Sequence, residues 1–158
     1  MTRRTSPRLA WLAVLALGAV TLSACSGSDD PAGTDVDVFE LAVGDCVRAP
    51  EEVTTEVETV VRTDCTLPHE QEVYAEVAYD GEDEDTYPGD AALVTFADGR
   101  CAEEFEEYVG VDYRDSELFF TYLLPSARGW DQGDDREVLC FVTTTGSELT
   151  RSVKGSAL

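Results

Sequence analysis

Four segments of the chain have the patterns of apolar side chains that are typical of β-strands. Residues 72–79, "EVYAEVAY", alternate between two faces, and one face would carry Val73, Ala75, Val77 and Tyr79. This alternation predicts a half-buried strand. Residues 117–124 ("ELFFTYLL") and 137–144 ("EVLCFVTT") are apolar and aromatic enough to predict central strands, and residues 57–63 ("VETVVRT") are rich in β-branched side chains.

A helical pattern covers residues 90–110, "DAALVTFADGRCAEEFEEYVG". Apolar residues recur there at spacings of three or four, so one face of a helix would carry Val94, Ala97, Cys101, Phe105 and Tyr108. Asp90 is predicted to cap the start of the helix and Gly110 to end it, although Gly99 could break it into two pieces. Strands, a helix and further strands without a repeated βαβ unit predict an α+β fold, with this helix packed on a small, mainly antiparallel sheet.

The N-terminus has the organisation of an export signal. Arg3, Arg4 and Arg8 precede an apolar run over residues 9–22, which is shorter than the roughly 20 residues of a membrane span. The "LSAC" that follows, Leu22 to Cys25, resembles the lipobox of bacterial lipoproteins, in which the cysteine is acylated. We therefore expect a signal peptide over 1–24, a lipid anchor on Cys25, and a location on the cell membrane facing away from the cytoplasm.

The remaining chain divides by composition. Residues 25–37 are small and acidic and predict a flexible tether, residues 38–155 are long enough for one domain, and residues 156–158 form a tail. The signal peptide holds three of the 11 basic residues and none of the 33 acidic ones, so the mature chain would carry a formal charge of −25. Such a surface disfavours nucleic acid and anionic headgroups as partners.

Four cysteines remain once Cys25 is assigned to lipid: Cys46, Cys65, Cys101 and Cys140. In an exported domain they predict two disulfides, for which three connectivities are possible. A bond between Cys101, on the helix face, and Cys140, on a strand face, would pin helix to sheet, and Cys46 with Cys65 could then close the first part of the sheet. Structural zinc is not expected, because the chain has no C-x₂-C spacing.

His69 is the only histidine of the chain and follows Pro68. A catalytic pair with Cys65 would need a free thiolate in an oxidising compartment, and a metal site would need more ligands than Glu70 and Glu72 supply nearby. We therefore predict that Pro68 and His69 shape a turn. The sequence predicts no catalytic residue, no metal and no cofactor.

The acidic segments carry little chemical signal. Within the acidic segment 79–90, the chain counted from Asp80 resembles a calcium loop until its sixth position, where Asp85 replaces the glycine that makes the turn. Residues 130–136, "WDQGDDR", predict a tight turn. Weak calcium association at these segments and a carboxylate pair for glycoside hydrolysis remain alternatives, since 33 carboxylates always supply such a pair.

Six pieces of the chain form an ordered set: "LAVGDCV" (41–47), "CTLPHEQEVYAEV" (65–77), "YPG" (87–89), Cys101 with "FEEYVG" (105–110), "LLPSARGWDQGDDREVLCFV" (123–142) and "LTRSVKG" (149–155). In this order they are similar to the septum formation domain family of high-GC Gram-positive bacteria. The "GDDR" of the fifth piece has one acidic residue more than the family pattern. The resemblance implies the pairs Cys46 with Cys65 and Cys101 with Cys140, and it implies no catalytic residues.

Together these features predict a lipid-anchored envelope protein with a non-enzymatic interaction domain linked to septum formation. Its expected partners are the membrane, through Cys25, and proteins of cell division or the cell wall. A cation- or solute-binding lipoprotein and an envelope hydrolase are the alternatives.

Overall fold

The computed structural model describes residues 33–48, 57–81 and 85–158. The predicted signal peptide, the lipobox with Cys25 and the tether up to residue 32 lie outside the described residues, as do Glu82 and Glu84 of the acidic loop. None of the helices in the described part of the chain has the length and apolar character that a membrane crossing requires.

Within these described ranges, six strands form one antiparallel sheet in the order β1-β3-β2-β4-β6-β5. The strands are β1 (Thr34–Asp37), β2 (Cys46–Arg48), β3 (Thr59–Thr63), β4 (Gln71–Ala78), β5 (Phe119–Leu123) and β6 (Glu137–Thr143). The helices are α1 (Asp90–Val109), α2 (Ala127–Gly133) and a single 3₁₀ turn (Val38–Glu40). The α+β fold and the predicted strands β3 to β6 are confirmed. The prediction that β5 is a central strand is wrong, since β5 lies at an edge of the sheet and pairs with β6.

Side chains of β6 divide the core into two clusters. Val138, Cys140 and Val142 pack with buried residues of α1, whereas Leu139 and Phe141 pack with Val36, Val38 and Val60. Successive residues of a strand point to opposite faces, so α1 covers one face of the sheet and the N-terminal segment covers part of the other. Both faces of β6 are therefore buried, as the continuous apolar run of its sequence indicated.

A β-bulge at Tyr74 changes which residues of β4 face the helix. Val73 is opposite Phe141 and Ala75 is opposite Cys140, so that β4 carries one extra residue. Tyr74 and Ala75 consequently both belong to the cluster under α1, and Val73 belongs to the other. The predicted placement of Val73 on the same face as Ala75 is wrong for this reason.

Helix α1 is continuous through Gly99, which is exposed. Its buried residues are Leu93, Ala97, Cys101, Phe105, Tyr108 and Val109, whereas Val94, predicted on this face, is 37% exposed. Gly89 caps the start of the helix in place of Asp90, whose carboxylate accepts a 2.5 Å hydrogen bond from the Tyr87 hydroxyl. Gly110 ends the helix in the left-handed conformation, as predicted.

Both predicted disulfides are present. Cys46–Cys65 spans 19 residues and links β2 to the end of β3, and Cys101–Cys140 spans 39 residues and joins α1 to β6. In the chain-entropy model, loops of these lengths correspond to about 3 and about 4 kcal/mol of stabilisation. For a domain with a total stability of roughly 5–15 kcal/mol, each bond is a large contribution.

Three segments differ in structure from what the sequence predicted. β1 occupies the last four residues of the predicted tether and pairs with β3, so the folded domain begins before residue 38. Helix α2 occupies most of the segment predicted as a tight turn, and its start is capped by Ser126, whose hydroxyl accepts a 3.0 Å hydrogen bond from the Gly129 N–H. The predicted tail is docked, since the Ala157 N–H donates to Val109 O over 2.8 Å.

Candidate functional site

Pro68 and His69 lie where the chain enters β4, and His69 forms a bridge to the C-terminal segment. The His69 N–H donates to Leu149 O at 3.0 Å and the Leu149 N–H donates to His69 O at 2.8 Å. The imidazole is fully buried, and its Nδ1 lies 2.8 Å from Leu67 O. Nε2 has no hydrogen-bond partner among the described residues. The sequence predicted only that His69 shapes a turn. In the structure its backbone also holds the distant segment around Leu149 in place.

His69 also belongs to the one cluster of potential metal ligands that the described residues contain. Ligand atoms of Cys46, His69 and Glu72 all lie within 4.8 Å of one another, and all three residues are buried. The sulfur of Cys46 is bonded to Cys65, however, and a disulfide sulfur is not the thiolate that binds zinc. The same bond removes the thiol that a Cys65–His69 catalytic pair would need.

The carboxylate of Glu72 is occupied by hydrogen bonds. Its Oε1 accepts from the hydroxyls of Tyr108 at 2.5 Å and Ser152 at 2.6 Å, and its Oε2 accepts from the Val153 N–H at 2.9 Å. Burial and the bond to Glu72 raise the pKa of the Tyr108 hydroxyl, so it remains a donor at neutral pH. This buried network ties β4, α1 and the C-terminal segment together, and it leaves the carboxylate engaged with the protein itself.

A solvent-accessible groove lies on the face of the sheet opposite α1. We call it the acidic groove; it has a volume of about 560 Å³. Its apolar lining comes from the 3₁₀ turn, strands β5 and β6, and residues that follow these elements or precede β3: Val38, Phe39, Leu41, Val57, Leu123, Leu124 and Leu139. Its polar lining consists of Glu58, Glu76, Ser126, Arg128, Gln132, Asp135 and Glu137, together with two glycines of α2.

The charges in the acidic groove are strongly unbalanced. Four carboxylates line it, and the lining includes one cation, Arg128, which pairs with Glu58 at 3.3 Å. Burial raises the pKa of the Asp135 carboxyl. Burial, followed by the nearby charges of Glu76 and Asp135, raises the pKa of Glu137. Glu76 and Asp135 therefore both repel the Glu137 carboxylate in the groove at neutral pH.

Helix α2 forms one side of the groove and is held in place by Trp130. The indole is buried and contacts the rings of Tyr79 and Tyr87 edge to face, with centroids 5.5 and 5.7 Å away. The Arg136 guanidinium lies 4.0 Å from the Trp130 ring centroid and donates a 2.9 Å hydrogen bond to Trp130 O. The additional residue of "GDDR" fits this arrangement, because Asp134 takes the left-handed conformation that ends α2.

A comparison with protein families gives the context of these features. The family model described as septum formation matches residues 43–157. The chain belongs to the septum formation family. No curated protein and no solved structure matches it. Membership supports a role related to cell division at the envelope.

The part of the chain that the septum formation family model matches includes both disulfides, the Glu72 network and most of the acidic groove. Val38, Phe39 and Leu41 precede the matched region, so one wall of the groove comes from sequence outside it. The sequence predicted no binding site at the groove beyond the alternative of weak calcium association at residues 130–136, three of which line it. The only indication was the apolar character of both faces of β6, because the other lining residues meet through the tertiary fold.

Proposed function

We propose that this member of the septum formation family is a lipid-anchored, extracytoplasmic domain that acts by binding another protein during cell division, without catalysing a reaction. The acidic groove is the observation that carries the proposal. It combines apolar surface with unbalanced charge in a solvent-accessible concavity. Concavities that are lined mainly by apolar side chains and carry a few polar groups are typical of binding sites.

The location outside the cytoplasm is supported by the two disulfides, since such bonds persist in oxidising compartments. A non-enzymatic role is supported by the chemical state of the cysteine, glutamate and histidine side chains that could otherwise react. Cys46 and Cys65 are oxidised, the Glu72 carboxylate is hydrogen-bonded within the core, and His69 is inaccessible to solvent.

Proximity labelling from the full chain in dividing cells tests the proposed role. We expect the labelled proteins to be enriched in proteins of the septum and of cell-wall synthesis. Uniform labelling of bulk membrane proteins, with no enrichment at the septum, would contradict the proposal.

The lipid anchor requires a separate test. Cys25→Ala should release the protein from the membrane fraction or leave its signal peptide uncleaved, as measured by fractionation and mass spectrometry of the N-terminus. Serine substitution of a disulfide pair is the matched control, since it changes cysteines without touching the acylation site. Membrane retention of a Cys25→Ala protein with a processed N-terminus would refute the anchor.

A further inference from the structure

An exposed aromatic ring lines the acidic groove together with its four carboxylates. Phe39 is 72% exposed although it lies between Val38 and Leu41, both of which are buried. The buried side chains of Val38 and Leu41 thus hold the backbone on either side in place while the phenyl ring faces solvent. An exposed ring of this size at the edge of an apolar groove provides an additional contact surface for a ligand.

The carboxylates determine which ligand this surface favours. Glu76 and Glu137 lie on the neighbouring strands β4 and β6, and Asp135 lies just before β6. A cation placed among them would relieve their mutual repulsion, whereas an anionic or neutral ligand would not. Arginine matches best, because its planar guanidinium stacks on aromatic rings and pairs with carboxylates through two hydrogen bonds.

From this geometry, and resting on the proposed binding function, we infer that the acidic groove takes a segment of a partner protein in which arginine is flanked by apolar side chains. The volume of about 560 Å³ lies within the range of about 300–1,000 Å³ of pockets that hold small-molecule ligands, so the groove has room for a few side chains of a partner. A short extended segment fills such a space, with apolar side chains against Leu123 and Leu139 and guanidinium groups at Glu76 and Glu137.

A second copy of the chain is a poor occupant by the same reasoning. The chain carries 33 acidic and 11 basic residues, so the approach of one copy to the acidic groove of another is opposed by like charge. Complementary charge favours a basic partner.

Isothermal titration tests the inference on the full chain in a non-ionic detergent. The probe is a synthetic peptide with the order leucine, arginine, tryptophan, arginine, leucine and with blocked ends. Two control peptides replace either both arginines by glutamine or all three apolar residues by serine. Only the probe should bind measurably, and its affinity should fall as salt is raised.

Two groove variants should weaken binding of the probe. Glu76→Gln combined with Glu137→Gln should raise its Kd about tenfold through the loss of two ion pairs, and Phe39→Ser should raise it about fivefold. All three side chains are exposed, so both variants should remain folded, as circular dichroism will verify.

Each groove variant has a matched control elsewhere on the surface. Glu106→Gln combined with Glu107→Gln removes the same charge from the exposed side of α1, and Phe119→Ser removes a phenyl ring that is 50% exposed on β5. Both controls should bind the probe as the wild type does. Equal binding by groove variants and controls, or equal binding of the glutamine peptide, would overturn the inference.

Proximity labelling with the same variants separates this inference from the proposed function. Loss of septal neighbours in the groove variants alone would support both. Septal labelling that persists in the groove variants would overturn the groove assignment while the septal role stands. A self-association detected by sedimentation and abolished by Phe39→Ser, but not by Phe119→Ser, would assign the groove to a second copy and overturn the inference.

Discussion

The hydroxyl of Tyr108 donates a 2.5 Å hydrogen bond to the carboxylate of Glu72 in the core of the domain. Glu72 would be costly to bury alone, since a charged group without partners loses its hydration. Here Ser152 and Val153 supply two further hydrogen bonds, so that one carboxylate organises the end of α1 and the C-terminal segment. The C-terminal residues that the family model matches are therefore tied to the core of this domain.

Glu72→Ala should lower the free energy of unfolding by about 3–5 kcal/mol, because it leaves a cavity and three donors without an acceptor. Glu72→Gln should cost less, about 1–2 kcal/mol, since its shape is kept and the two hydroxyls can rotate. Urea denaturation measures both. Glu76→Ala, on the exposed side of the same strand, is the control and should change stability by no more than about 0.5 kcal/mol. A Glu72→Ala protein within about 1 kcal/mol of wild type would contradict the role of the network.

The tyrosines predict sensitivity to alkaline pH. Burial raises the pKa of Tyr74, whose hydroxyl donates a 2.6 Å hydrogen bond to Cys101 O, and burial likewise raises that of Tyr108. In the unfolded chain these groups titrate near pH 10. Stability should therefore be fully present below about pH 10 and should fall as the pH rises above it, because the unfolded state releases protons first.

Urea midpoints measured between neutral pH and about pH 11 will show this decline. Tyr74→Phe should lower stability at neutral pH and should make the decline shallower by about 1.4 kcal/mol per pH unit, since one titrating group has been removed. Identical slopes for the variant and the wild type would show that Tyr74 titrates normally in the folded protein.

His69→Ala should lower the free energy of unfolding by about 2–3 kcal/mol, because the imidazole is fully buried and its removal leaves a cavity. Added zinc should leave the melting temperature of the non-reduced wild type unchanged, since Cys46 is in a disulfide. Calorimetry checks both results. A melting temperature that rises with zinc in the wild type, and not in His69→Ala, would instead identify Cys46, His69 and Glu72 as a metal site.

Gly99→Ala should stabilise the domain by about 0.5–1 kcal/mol, because glycine disfavours the interior of a helix. A Cβ at this position would meet no atom within 4 Å. Gly110→Ala is the opposite case, since Gly110 has a φ of +93°, and it should destabilise the domain by a similar amount. Thermal denaturation of the two variants tests the prediction, and a stabilising Gly110→Ala would contradict the assigned helix end.

Local sequence patterns were sufficient to predict helix α1 and the strands β3 to β6. Runs of β-branched and aromatic residues indicated β3 to β6 to within two residues, and the three-to-four spacing indicated α1. The β1 strand was not predictable from "TDVD", because it is stabilised by pairing with β3 and by burial of Val36. Leu93 and Val94 could not be distinguished either, since adjacent apolar residues fit the helical period almost equally well.

Neither the Glu72 network nor the acidic groove could be predicted without the tertiary structure. The bulge at Tyr74 has no signature in "EVYAEVAY", yet it determines which side chains of β4 lie beneath α1. Glu72 was read as part of a polar face because its partners Tyr108 and Ser152 are 36 and 80 residues away. The acidic groove combines residues of the 3₁₀ turn, three strands and α2, a combination that no local pattern encodes.

The Cys46–Cys65 disulfide also limits how far the domain can be stretched. Tension applied ahead of Thr34, where a membrane tether would pull, loads β1 first, an edge strand whose only neighbour in the sheet is β3. Once β1 and the following 3₁₀ turn have peeled away, the tension reaches Cys46 and passes through the sulfur atoms directly to Cys65. The segment between them cannot lengthen, and the load arrives at β4 in the centre of the sheet. The domain can therefore yield at the edge formed by β1 while its centre resists extension.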